Sequence, residues 1–144
     1  MVESDTIKLL RECDAGVKMG VSSIGDVQGY VKNPEFLELL VNSKDEHEKL
    51  DGDIQELLDK YNDDGKEPNP VAKGMSWMKS NLKIMVDDSD ETIADLMTDG
   101  CNMVIKSLNK YLNKYKAADE DSKNIAKRLI NIEEKLLKDI RKYL

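Results

Sequence analysis

The chain has 144 residues, with 22 Lys/Arg against 29 Asp/Glu, a single His and a net charge of −7. That length suits one domain, residues 1–144, and 40% apolar residues are enough for one continuous core. A pI near 4.8 repels phosphate backbones and anionic lipid, and no run nears the roughly 20 apolar residues of a membrane span, so nucleic acid and membrane are not expected partners.

The first predicted helix runs from about Ser4, read as its N-cap, to Val31. Ile7, Leu10, Asp14, Val17, Val21, Ile24, Gln28 and Val31 recur at spacings of three and four, the seam of a bundle helix. Gly16, Gly20, Gly25 and Gly29 interrupt it. Each costs about 1 kcal/mol relative to Ala in a helix interior, which close approach of a neighbouring helix would offset, with a bulge or ligand slot as the second explanation.

The second helix has a clear start: Asn33 caps, Pro34 suits the first helical position and Glu35 favours the positive end of the dipole. Leu37, Leu40, Lys44, His47, Asp51, Ile54, Leu58 and Tyr61 form its seam, widened by Phe36, Val41, Leu50 and Leu57. With so short a link, these two long helices must pack antiparallel. Residues 62–70, with Asp63, Asp64, Gly65, Pro68 and Pro70, break the pattern and read as the long connection of the bundle.

A shorter helix is expected at about 71–86, from Val71, Met75, Met78, Leu82 and Met85, with Trp77 beside the seam. Its methionines read as core filling; an apolar face at Met75, Trp77 and Met78 would suit partner binding or self-association. Asp87 to Asp90 ends it, and Asp88 with Glu91 reads as a capping box for the next helix. That helix carries Met97, Cys101, Val104, Leu108, Tyr111 and Tyr115 to about Lys116. The last begins near Asp119 to Ser122 and has two apolar rows, Ile125, Leu129, Ile132, Leu136 and Ala126, Ile130, Glu133, Leu137, Ile140.

Residues 1–100 hold 11 Lys/Arg against 23 Asp/Glu, and residues 101–144 hold 11 against 6. Basic helices lying against acidic neighbours explain the imbalance; a basic strip for an anionic partner is the alternative. Met1 to Leu10 lacks a basic start followed by an apolar core, so the expected compartment is the cytosol, where Cys13 and Cys101 stay thiols and serve as small buried hydrophobes. The chain has no glycine-rich phosphate loop, no CxxC and no nucleophile motif, and Lys60 stands where a calcium loop at Asp59 to Gly65 needs its first acidic ligand. No catalytic residue is assigned.

Glu12 to Gly20 (ECDAGVKMG), Asn33 to Leu40 (NPEFLELL) and Asp90 to Cys101 (DETIADLMTDGC) together give a pattern that resembles the ferritin-like superfamily, and more closely its small bacterial ferritin-like domains. The likeness covers nearly the whole chain. It implies an all-α, up-down four-helix bundle with the short extra helix, about 71–86, between the second and third long helices. Members that bind metal use one Glu from each of two helices and a Glu-x-x-His from each of the other two. This chain departs from that set: Lys44 stands three residues before His47, and Glu133 and Glu134 are followed by no His. The paired-metal site therefore reads as absent.

Two functional expectations follow. The first is a non-enzymatic structural, partner-binding or small-ligand-binding bundle that can associate with itself through helix faces. The second is a bundle holding a single iron, zinc or manganese ion, with a redox or storage role, through Asp14, His47, Asp51 and Glu133. That reading requires three or more of the four to converge. Otherwise His47 is a satisfied imidazole paired with one of those carboxylates, and buried Asp14 demands a partner of its own.

Overall fold

A computed structural model describes residues 3–66 and 87–144. The short helix expected at about 71–86, and with it Met75, Trp77 and Met78, lies outside the described residues. Among the described residues there are four long helices: α1 (Ser4–Val27), α2 (Pro34–Lys60), α3 (Asp90–Lys114) and α4 (Glu120–Asp139). One-turn 3-10 segments, Gln28–Tyr30 and Arg141–Tyr143, follow α1 and α4.

Local chemistry sets the helix starts. The Asn33 side chain accepts the N–H groups of Glu35 and Phe36, with Pro34 at the first helical position. Asp119 accepts the Ser122 N–H at 2.8 Å and caps α4. Two expected caps move by one residue. Glu3 rather than Ser4 occupies the N-cap of α1, without a side-chain bond. Ser89 rather than Asp88 caps α3, because its hydroxyl accepts the Thr92 N–H while Asp87 accepts from Ser89 N–H and from the Thr92 hydroxyl. Asp88 turns outward to Lys32.

The ends of the helices define the topology. Asp90 accepts the backbone N–H groups of Lys32 and Asn33, both at 2.9 Å, which fixes the start of α3 beside the α1–α2 turn. At the opposite end Thr6 accepts the Asp119 N–H and the Tyr61 hydroxyl donates to Asp119, both at 2.8 Å. So α1 and α4 run one way and α2 and α3 the other. The pairs α1–α2 and α3–α4 have short links; Lys60 and Asp90 stand at opposite ends. Helix α1 packs on the other three, α4 likewise, and α2 and α3 face each other across the wide diagonal.

The core has two apolar halves. One gathers Leu9, Leu10, Cys13, Val17, Leu50, Ile54, Leu58, Leu108 and Leu129; the other gathers Ile24, Phe36, Leu40, Ile93, Leu96, Met97, Leu136 and Ile140, closed by Phe36 stacking on Tyr143. Fully burying such side chains stabilises by about 1.5–3 kcal/mol each. Val41, expected to widen the α2 seam, is exposed instead. Helix α4, in which basic and acidic residues are equal in number, reaches acidic α2 through the ion pairs Arg128–Asp53 and Lys135–Glu46 at 2.8 Å each. Both cysteines are buried thiols.

Candidate functional site

Between the apolar halves lies a polar layer to which α1, α2, α3 and α4 contribute Gly20, His47, Cys101 and Glu133 respectively. His47 is fully buried and Glu133 nearly so. The ring Nδ1 donates to the Ser43 carbonyl at 2.7 Å, one turn back on α2, since a carbonyl can only accept. The Nε2 then meets Glu133 Oε1 at 2.6 Å. Two lone pairs cannot face each other at that distance, so one proton lies between imidazole and carboxylate. Burial by itself would lower the His47 pKa, but the Glu133 hydrogen bond and charge, with the Ser43 carbonyl, outweigh it and hold the pKa above the ordinary 6.5.

Burial, with the nearby Glu133 carboxylate, pushes the pKa of the Cys101 thiol upward. Burial likewise pushes Cys13 up to about 12. Neither sulfur has the thiolate character a nucleophile needs. The imidazole packs so closely on α1 that a Cβ at Gly20 would stand 2.6 Å from both His47 Cδ2 and Nε2. Close helix approach therefore accounts for Gly20, and for Gly16 against Leu129, whereas Gly25 has only the Lys44 ammonium at 4.0 Å and Gly29 has nothing near. A cleft of about 20 Å³ between α1 and α3, bounded by Met19, Gly20, Cys101 and Glu133, reaches the layer and has room for one water.

The other two expected ligands belong elsewhere. Asp14 is fully buried and accepts from the Gln55 amide at 2.8 Å, the Lys66 backbone N–H at 2.9 Å and the Lys18 ammonium at 3.1 Å. Gln55 also donates to Asp51 at 3.1 Å, which joins both carboxylates through one amide. Asp14 is thus the anchor of the chain leaving α2. Arg11 grips Asp63 through two nitrogens, and Lys66 reaches Glu12 at 2.6 Å. Asn62 and Gly65 take left-handed φ of 54° and 80° to bring the backbone down onto α1.

The four expected ligands therefore fall into two separate sets, His47 with Glu133 and Asp14 with Asp51. Among the described residues no group of three His, Cys, Asp or Glu side chains is arranged to hold a metal ion. Sequence reasoning missed Gln55, Ser43 and Lys66. Gln55 and Ser43 lie beside the α2 seam, where periodicity alone marks them as flanking polar residues, and the Lys66 contribution is a backbone N–H that no side-chain pattern encodes. No family model, curated protein or solved structure matches this chain. No helix among the described residues is long and apolar enough to cross a membrane.

Proposed function

We propose that this chain is a ferritin-like bundle serving as a non-enzymatic binding module, in which internal hydrogen bonds occupy the central layer where metal-binding members place their ligands. The observation that carries the reading is the His47–Glu133 pair: both ring nitrogens are used, and Asp14 is satisfied separately by Gln55, Lys18 and Lys66. The parallel α2 and α3, with their ends far apart, support the ferritin-like assignment, because such folds have one long crossover. Free buried thiols and the charge of −7 support a cytosolic protein that binds neither nucleic acid nor membrane. Self-association through a helix face belongs to the same reading.

A second reading keeps a single iron, zinc or manganese ion with a redox or storage role. Its support is the Nδ1–H bond to the Ser43 carbonyl, because metal-bound histidines are oriented in this way. Elemental analysis separates the two, on protein purified without chelator or polyhistidine tag and reloaded with iron, zinc and manganese. The binding-module reading expects folded protein without stoichiometric metal. Stoichiometric metal that disappears in both His47→Ala and Glu133→Gln would overturn it.

A further inference from the structure

The cleft of about 20 Å³ between α1 and α3 is lined by Met19 and Gly20 from α1, Met97, Gly100 and Cys101 from α3, and Glu133 from α4. Gly20 and Gly100 put no side chain there, and the space left is that of one water molecule or one ion. It is reachable. Met19 also lines a wider groove of about 160 Å³ on the α1–α3 surface, so the same side chain borders both the outer groove and the inner cleft.

Three sulfur-bearing side chains surround this small space. Met97 and Cys101 are four residues apart, which puts them one turn apart on the same face of α3. Met19 faces them from α1 and is half-buried. A methionine in a core ordinarily serves by filling gaps, and here two of them border a gap that stays open beside a thiol.

We propose that this cleft binds a single copper(I) ion through the Cys101 sulfur, as thiolate, and the thioethers of Met19 and Met97. Soft thiolate and thioether donors favour copper(I) over harder ions. Charge points the same way. On binding, the Cys101 S–H bond breaks, its proton goes to solvent and a sulfur–copper bond forms with no change of oxidation state, so thiolate and monovalent ion leave the site neutral. A divalent ion would leave a positive charge buried, because the Glu133 carboxylate is already held by His47 at 2.6 Å. The donor set is distinct from the His, Cys, Asp and Glu groups, none of which forms a metal site among the described residues, since two of its three members are thioethers.

The inference rests on reading the chain as a non-enzymatic binding module, with the ion as its small ligand. Anaerobic titration of the full chain with copper(I), in competition with the chromophoric chelator bicinchoninate, tests it, with native mass spectrometry for stoichiometry and copper-edge X-ray absorption for the donor atoms. One ion per chain with sulfur neighbours is expected. Cys101→Ala should abolish uptake, and Met19→Leu with Met97→Leu should weaken it at least about tenfold, whereas Cys13→Ala removes the other thiol and should bind as wild type. Leucine keeps the volume and apolar surface of methionine, so circular dichroism of the double variant should stay unchanged and its lost affinity reports lost sulfur. No uptake against the chelator, uptake unchanged in Cys101→Ala or in the double variant, or nitrogen and oxygen neighbours alone would each overturn the site. Those failures leave the His47–Glu133 reading standing, and iron, zinc or manganese lost in His47→Ala would overturn that reading without touching copper uptake at Cys101, so the two are distinguishable.

Discussion

At the residue scale the informative group is His47, and its being the only histidine gives it a clean spectroscopic signal. Its imidazole should titrate by NMR with a midpoint above 6.5. In Glu133→Gln the opposing charge is gone, burial dominates, and the midpoint should fall below 6.5. The same shift makes stability depend on pH. Because the folded pKa is raised, the stabilisation from the pair is complete below about pH 6.5 and is lost as pH rises through the folded value. Urea unfolding from acid to alkaline pH should therefore show wild type losing stability where Glu133→Gln does not; parallel profiles would reject the shared proton. Truncating one partner, as in His47→Ala, should cost about 3–5 kcal/mol, because it strands the other polar group in the core.

At the scale of the elements, glycine chemistry separates packing from propensity. Gly52 of α2 has open space where a Cβ would stand, so Gly52→Ala should raise stability by roughly 0.5–1 kcal/mol. Gly20→Ala adds the same methyl against His47 at 2.6 Å, and should lower the denaturation midpoint despite its better helix propensity. The anchor between α1 and the chain after α2 makes a further prediction. Asp14→Ala strands the Lys66 N–H and leaves the Gln55 amide with Asp51 alone, and should cost about 1–3 kcal/mol. Hydrogen exchange at Lys66 should accelerate with it, and an unchanged rate would show that the anchor is incidental.

Across the whole molecule, the ion pairs between α4 and α2 lie at the surface and do little to hold the bundle together. The Arg128–Asp53 pair is half exposed on both sides, so Arg128→Ala should shift unfolding by about 0–1 kcal/mol, and less in high salt. What holds the molecule is the pair of apolar halves on either side of the polar layer. A shift of several kcal/mol from that surface change would contradict this division of roles.

Much of the fold was legible because its signals are local. Asn33 and Pro34 start α2 with groups two and three residues away, and a link of a few residues forces α1 and α2 antiparallel. The seams placed His47, Asp14 and Glu133 inside for the same reason, since burial follows from a period that one helix carries by itself. Periodicity leaves the rotation and vertical register of one helix against another undetermined. Only packing decided that His47 meets Glu133, 86 residues away, rather than Asp14 or Asp51, and that Asp14 is answered by the Lys66 backbone. Those partners are set where four helices bring their faces to one height, and no single segment of the sequence holds that information.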